Sequence, residues 1–465
     1  MSSTSRILVP FNGDGAGTEE LSWGQRELWL AIRRQRNWLP IGAVTTLPAE
    51  RPVDDVVAEL RFMMSRYPTM RTRLWFGDAC EPNRDRGDGD GPRQVVAGQG
   101  EIALEVVDAG EGEDPAAVAA LVDQRYRETD YDFATQWPVR MAVVRHRGVL
   151  THQVTVMCHL VTDGAGAAVL AADLVHRQPQ TATAMPPTAQ ARWQRTAAGR
   201  RFNDAALRRW EAVLRTIAPR RFRGSYDPRQ PRHWEAEFSS PAMQLAVRAI
   251  AGRTRVETSP LLLALFAVSL ARLTGIHPVV IQVVVSNRFR PGLADTVSPI
   301  NQTGLCVLEV AGMTVDEVIA GARRKTMAAY KYAYYDPYQL DDLAARVGRE
   351  RREELDISCY FNDRRLPPPG RTVGPAPTPG QIRAALPQST FRWSRRKDYS
   401  FEPLFLHVED VPDRIALIIA GDTHCVSPAD LEACVRGMEA IAVEAAFDPA
   451  VATRVPLVAA SVLGR

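Results

Sequence analysis

Residues 150–164 read Leu-Thr-His-Gln-Val-Thr-Val-Met-Cys-His-Leu-Val-Thr-Asp-Gly. The apolar, β-branched run from Leu150 to Met157 predicts a strand. With the run Val139 to Arg145 and the break His146-Arg147-Gly148 between them, it predicts a hairpin. Ala167 to His176 has a helical pattern. The segment Cys158-His159-Leu160-Val161-Thr162-Asp163-Gly164 therefore falls where a buried strand ends and a helix begins. Such a position holds a histidine rigidly. Asp163 is placed to fix the local geometry, and Gly164 is expected to permit a turn closed to other residues. On spacing alone His-x-x-x-Asp-Gly is more often an ordinary hydrogen-bonded pair than a functional one. Cys158 beside His159 invites a nucleophilic dyad, but successive strand residues point to opposite faces. Cys158 is expected instead to be a small side chain lining or backing the site.

Working outward, helices are predicted near Glu20 to Arg33, Val53 to Ser65 and Pro115 to Glu128, with strands near Gln94 to Val96 and Ile102 to Val107. Gln178 to Pro187 turns to Gln, Thr, Ala and Pro, which suits an exposed connection. A boundary near 180 follows, giving lobes 1–180 and 181–465. In the second lobe, helices are predicted near Arg195 to Thr216, Met243 to Ala251, Leu261 to Leu273, Val315 to Tyr332 and Ala429 to Ala445. Strands are predicted near Val279 to Val285, Leu305 to Val310, Ile357 to Phe361, Phe401 to Val408 and Arg414 to Ile419. Both lobes read as α/β. The proline-rich stretch from Leu366 to Gly380 predicts a long surface loop.

Length and composition agree with this reading. The chain has 465 residues, 45% hydrophobic and 24% charged, so a soluble protein of two lobes of roughly 200 residues is expected. The net charge is +3, and acidic residues nearly balance the arginines, which argues against nucleic acid as a partner. Clusters such as Arg220-Arg221 and Arg323-Arg324-Lys325 read as solvated helix faces. The six cysteines (80, 158, 306, 359, 425 and 434) form no Cys-x-x-Cys pair and no metal-ligand spacing, so no metal and free thiols are expected. The opening residues lack the apolar core of a signal peptide, and the longest apolar run, Pro260 to Leu270, is too short to span a bilayer. A cytoplasmic monomer without membrane attachment is expected.

The order of short segments resembles the condensation domains of nonribosomal peptide synthetases. Cys158 to Gly164 is similar to their His-His-x-x-x-Asp-Gly signature. Leu21-Ser22-Trp23-Gly24-Gln25-Arg26-Glu27-Leu28-Trp29 resembles their opening Ser-x-Ala-Gln-x-x-x-Trp motif, and Arg66-Tyr67-Pro68-Thr69-Met70-Arg71-Thr72-Arg73 their Arg-His-x-x-Leu-Arg-Thr stretch. Asp130-Tyr131-Asp132-Phe133, with Pro138 and Arg140, resembles the lead-in to the central strands. Ser286 to Pro291, Val297 to Thr303 and Ser358 to Asp363 are similar to later segments. Three departures stand out: Cys158 replaces the first histidine, Gly24 stands where alanine is usual, and Asn287 where glycine is usual.

The resemblance implies a pseudo-dimer of two chloramphenicol-acetyltransferase-like lobes with a tunnel between them. It implies an acyltransferase that carries an acyl or aminoacyl group from a phosphopantetheine-linked thioester, on an acyl or peptidyl carrier protein, to a small-molecule amine or hydroxyl. No bound cofactor is implied, and a free-standing enzyme is expected. His159 would be the catalytic base. An imidazole suits that task, since an ordinary histidine is largely neutral at cytoplasmic pH. Asp163 would pair with Arg288 of the other lobe as a structural brace, with Gly164 in support. Cys158, Ser22, Asn301 and Thr303 would be polar groups of the tunnel. Two alternatives stay open: a binding or recruitment module that keeps the fold without the chemistry, favoured by Cys158, and an acyltransferase that takes a coenzyme A thioester.

Overall fold

The strand that ends at Cys158 is an inner member of a five-stranded mixed sheet. The computed structural model describes residues 3–48, 50–77, 91–176, 184–365, 376–398 and 402–457. Cys80, residues 178–183 of the expected connection, residues 366–375 of the expected proline-rich loop, and Phe401 lie outside them.

Two compact units divide the chain: residues 1–201 with 286–301, and residues 202–285 with 302–465. In the first, the elements are β1 (Ser3–Asn12), β2 (Gly17–Glu20), α1 (Trp23–Gln35), β3 (Pro40–Thr46), α2 (Val53–Arg66), β4 (Thr72–Trp75), β5 (Arg93–Val96), β6 (Gln99–Ala109), α3 (Pro115–Glu128), β7 (Val139–His146), β8 (Val149–Cys158), α4 (Gly164–His176) and α5 (Pro187–Gln194). The main sheet runs β1-β6-β7-β8-β3, with β6 and β7 parallel across α3 and the other pairs antiparallel. That β6-α3-β7 crossover is the element that makes the sheet mixed. The expected hairpin is β7-β8, turning at Arg147 and Gly148, both with positive φ. Val106, Val139, Met141, Val143 and Met157 of the sheet close a core with Leu60, Met63 and Met64 of α2 and with Val297.

The second unit holds most of α6 (Ala197–Leu214), then β9 (His233–Ser240), α7 (Pro241–Thr254), α8 (Thr258–Thr274), β10 (Val279–Val285), β11 (Gln302–Leu308), α9 (Val315–Lys331), α10 (Pro337–Arg351), β12 (Cys359–Asp363), α11 (Pro379–Ala385), β13 (Thr390–Lys397), β14 (Leu404–Glu409), β15 (Ile415–Asp422) and α12 (Pro428–Ala445). Its sheet runs β11-β10-β12-β14-β15-β9-β13. One face packs under α7, α8, α9 and α12, and α8 is buried along its whole apolar length. α6 and α10 pack on the other face at Val280 and Leu305. Among the described residues, no single helix is long and apolar enough to cross a membrane.

The boundary differs from the expected one near 180. Residues 187–194 form α5, with Pro187, Thr188, Gln190 and Ala191 buried, so Pro187, the last residue of the expected exposed connection, already lies in a helix with a buried face. The segment 286–301, between β10 and β11, belongs with the first unit. Its bonds explain this. Thr69 donates to the Val297 carbonyl at 2.9 Å, Gln190 donates to the buried Ser298 hydroxyl at 3.0 Å, and the Met185 amide donates to the Gly292 carbonyl at 2.8 Å.

Candidate active site

β8 delivers the chain to the site in a fixed position because the backbone is bonded on both sides. The Cys158 amide donates to the Pro138 carbonyl at 2.9 Å, and the His159 amide donates to the Leu39 carbonyl at 3.2 Å. The Val161 amide then donates back to the Cys158 carbonyl at 3.1 Å, which turns the chain sharply toward α4. His159 sits in this turn, half-buried. Its Nδ1 lies 2.8 Å from the Thr162 carbonyl oxygen. A carbonyl only accepts, so Nδ1 carries the proton, and in the neutral ring Nε2 is the basic nitrogen. The group that selects the tautomer is a main-chain oxygen three residues on, which residue type does not reveal.

Asp163 is the cap of α4 and is fully buried. Its carboxylate takes three hydrogen bonds and one further ion-pair contact. The Gly166 amide donates at 2.8 Å, the Ile300 amide at 3.1 Å and Arg288 Nη1 at 3.0 Å, while Arg288 Nη2 lies 2.8 Å from Oδ1. The Gly166 bond is the helix-capping one, and the Arg288 pair is bidentate. Nη2 of Arg288 also reaches the Thr296 carbonyl at 2.9 Å. The expected Asp163–Arg288 pair is therefore present, but both partners belong to the first unit. It closes the 286–301 segment onto the start of α4.

Three expectations need correction. Gly164 is an exposed first-turn residue of α4 without positive φ, and a Cβ there would meet nothing within 4 Å. No special turn requires it. The glycine that close packing demands is Gly166, where a Cβ would lie 2.5 Å from Thr162 Oγ1 and 3.1 Å from Arg288 Nη2. Ser22, expected in a tunnel, is the buried N-cap of α1. Its hydroxyl accepts from the Gln25 amide at 3.4 Å, while Gln25 Oε1 accepts from the Ser22 amide at 2.9 Å, a reciprocal capping box. Thr303 belongs to a buried network in the second unit, where it donates to Gln282 at 2.8 Å and its carbonyl accepts from the Tyr335 hydroxyl at 3.0 Å. Those partners satisfy its polar atoms.

Asn301 differs from these two. Its Oδ1 is buried and has no hydrogen-bond partner among the described residues, a costly state for an amide oxygen unless a ligand or water meets it. Cys158 is a buried side chain at the end of β8. It is 1% exposed, its thiol donates to the Trp38 carbonyl at 3.4 Å, and burial pushes its pKa up to about 12. A thiol held protonated and engaged in this way is no nucleophile. Cys158, Leu160 and Val161 line a small pocket of about 10 Å³ together with Arg73, Tyr131 and Phe133.

The unusual residues of the related segments also find their reasons. A Cβ on Gly24 would lie 2.1 Å from the Pro299 carbonyl oxygen, so the alanine common at this position does not fit here. Asn287 has a φ of 58°, in the left-handed region where asparagine is the usual substitute for glycine. Its side chain donates to the Ile300 carbonyl at 3.0 Å. Arg71 is wholly buried and donates to the carbonyls of Gly13, Asp14 and Ala97; it is a strut beneath β4. Arg140 ties Tyr126, Thr129 and Asp130 in the same manner. Among the described residues, no three His, Cys, Asp or Glu side chains gather as a metal site.

Comparison with known proteins places this arrangement. No curated protein matches the chain in sequence. Among solved structures, the condensation domain from the monacolin K polyketide synthase MokA is similar at a TM-score of 0.71, with 16% identity over 94% of this chain and 99% of that one. SgcC5 from Streptomyces globisporus, solved with (R)-(-)-1-(2-naphthyl)-1,2-ethanediol and sucrose, is similar at 0.68, with 15% identity over 93% of this chain and 100% of that one. The X-domain solved in complex with OxyB from teicoplanin biosynthesis is similar at 0.68, with 16% identity over 96% of this chain and 98% of that one. These likenesses establish the two-lobed, chloramphenicol-acetyltransferase-like fold. The family model for the condensation domain matches residues 45–363, from β3 to β12 and through His159, Asp163 and Arg288, and the chain belongs to the condensation-domain family.

Proposed function

We propose that this chain is a condensation enzyme that transfers an acyl or aminoacyl group from a carrier-protein-bound phosphopantetheine thioester to an amine or hydroxyl acceptor, with His159 as its base. The observation that carries the reading is the 2.8 Å contact between His159 Nδ1 and the Thr162 carbonyl, which makes Nε2 the basic atom of a half-buried ring. As the acceptor's lone pair attacks the thioester carbonyl carbon, Nε2 takes the acceptor's proton. The tetrahedral intermediate then collapses with cleavage of the carbon–sulfur bond, and the imidazolium returns the proton to the departing thiolate. The thioester is already activated, so the histidine contributes by positioning as well as by proton transfer.

Asp163 and Arg288 touch no reacting atom in this scheme. They hold the turn that carries His159. The buried, unpartnered Oδ1 of Asn301 is suited to accept a hydrogen bond from the acceptor substrate. The likeness to SgcC5 makes an aryl 1,2-diol a sensible first acceptor to try.

A second reading is a recruitment module that keeps the fold and binds a partner protein. Cys158 in place of a histidine favours it, as does the likeness to an X-domain solved with OxyB. A donor-trapping assay separates the readings. Acyl-loaded carrier protein and acyl-coenzyme A are each supplied with a panel of amines and alcohols that includes the aryl diol. Transfer from the carrier protein that falls about 10²- to 10⁴-fold in His159→Ala, at unchanged melting temperature, is the expected result. Transfer from coenzyme A alone would move the donor assignment. No transfer from either would favour the recruitment module, and full activity of His159→Ala would end the assignment of that residue.

A further inference from the structure

The backbone between α1 and β3 is held in an uncommon shape beside the His159 turn. Arg36 closes α1 with a φ of 50°, and three residues on Leu39 has a φ of 52°. The first is an ordinary left-handed helix end. The second is not, because the left-handed region is sterically disfavoured for a bulky side chain, and Pro40, which follows, biases Leu39 further toward extended backbone. The surrounding bonds over-determine this conformer. The Leu39 amide donates to Asn37 Oδ1 at 2.8 Å. On either side of Leu39, Trp38 Nε1 donates to the Arg127 carbonyl at 3.2 Å, and Arg127 Nη1 donates to the Pro40 carbonyl at 3.1 Å. The Trp38 ring is stacked on Tyr131 with centroids 5.3 Å apart.

What Leu39 meets gives the strain a purpose. Two successive carbonyls of this segment accept from two successive residues of the signature: Trp38 from the Cys158 thiol at 3.4 Å, and Leu39 from the His159 amide at 3.2 Å. An extended Leu39 would send those carbonyls to opposite edges of the strand. His159 is thereby held at two points, its main chain by Leu39 and its Nδ1 by the Thr162 carbonyl at 2.8 Å. Movement of the first point turns the ring about the second, and Nε2 with it. Leu39 is half-buried, and Asn37 is exposed.

We propose that Leu39 is a positioning residue for His159: its left-handed backbone, locked by Asn37 and Arg127, aims the basic Nε2. Leu39 touches no reacting atom in this scheme and acts through its carbonyl. A side chain that tolerates the left-handed region should therefore serve in its place, and one that does not should fail however closely it resembles leucine. A packing role would rank the same substitutions in the reverse order. The proposal deepens the acyl-transfer reading and rests on His159 acting as the base there.

The test uses the full chain, isotope-labelled at histidine, and reads hydrogen exchange of the His159 amide, its ring nitrogen resonances, and kcat and KM in the donor-trapping assay. Leu39→Val places a β-branched side chain where the left-handed region excludes it. It is expected to speed exchange of the His159 amide and to shift the ring nitrogens. It should also lower kcat on the order of 10- to 100-fold, the loss that a displaced reacting group brings, with KM little changed. Leu39→Asn is expected to keep the amide protected, the resonances in place and most of kcat, because asparagine enters this conformation readily. Asn37→Ala, an exposed change that spares the core, is expected to move the same signals in the direction of Leu39→Val. The lost hydrogen bond should lower kcat by about two- to tenfold, and Asn37→Asp should rescue it. His159 disturbed as much by Leu39→Asn as by Leu39→Val, or left unmoved by both Leu39→Val and Asn37→Ala, would overturn the proposal. The amide and ring signals need no turnover. A native chain that transfers no acyl group would count against the acyl-transfer reading, while the Leu39 proposal would still stand or fall on those signals.

Discussion

Asp163 shows most directly how one side chain organises the site. It terminates α4, fixes the Ile300 amide and holds both arms of Arg288. Its removal leaves the guanidinium, whose side chain is 12% exposed, without its counter-charge. Loss of one partner of a buried pair typically costs about 3–5 kcal/mol, so Asp163→Ala is expected to lower the unfolding free energy by that order in urea titrations. Adding Arg288→Ala should cost less than the sum of the two single changes, because the second removes the stranded charge. A loss within about 0.5 kcal/mol, the level of an ordinary surface substitution, would show that the brace contributes no stability. His159 behaves differently. Its ring is half-buried and its Nδ1 is held by a main-chain oxygen, and its substitution is expected to change turnover and not folding.

At the scale of elements, two glycines separate by what surrounds them. α1 approaches the 299–300 backbone so closely that a methyl on Gly24 would lie 2.1 Å from the Pro299 oxygen. Gly24→Ala is therefore expected to destabilise by about 1–3 kcal/mol through overpacking. The same substitution at Gly164, in the open first turn of α4, is expected to be neutral or to stabilise by about 0.4–1 kcal/mol, since it restricts the unfolded chain without strain. The melting temperature should fall in Gly24→Ala and hold or rise in Gly164→Ala. Equal losses would mean that Gly164 serves a conformation other than the helical one found here. The capping box at Ser22 and Gln25 belongs to the same level. It sets where α1 begins, and hence where Gly24 meets the 299–300 segment.

For the whole molecule, the thiols tie stability to pH. Burial holds Cys158, Cys306 and Cys434 up at about 12, against an unfolded value near 9.0. Between those limits the native state keeps protons that the unfolded state has released. Stability from this source is complete below about pH 9 and is lost as pH rises toward 12, with a slope of up to about 1.4 kcal/mol per pH unit for each thiol. Urea denaturation at pH 8 and pH 10 should show the decline, and Cys158→Ala should reduce its slope. A flat profile across this range would contradict the assigned burial. At neutral pH the same thiols are expected to resist iodoacetamide until the chain unfolds.

What could be read from residue order and what could not divide along physical lines. Hydrophobic periodicity located the β7-β8 hairpin, α2, α3, β10 and α9 almost to the residue, because those patterns are produced by neighbours in the chain. It overlooked β1, β3, β9, α10 and β13, whose faces are partly exposed or polar and whose pairing depends on distant strands. The motif order sufficed for the family, and His159, Asp163 and Arg288 were identifiable as residue types in register with it. Their arrangement was not. The assignment of 286–301 to the first unit, the need for glycine at 166 rather than 164, and the confinement of Ser22 and Thr303 to internal bonds all depend on atoms far apart in sequence. So does the basic nitrogen of His159: a histidine at a strand end is a fact of sequence, but which of its nitrogens is left basic is decided by where the folded turn places the Thr162 carbonyl.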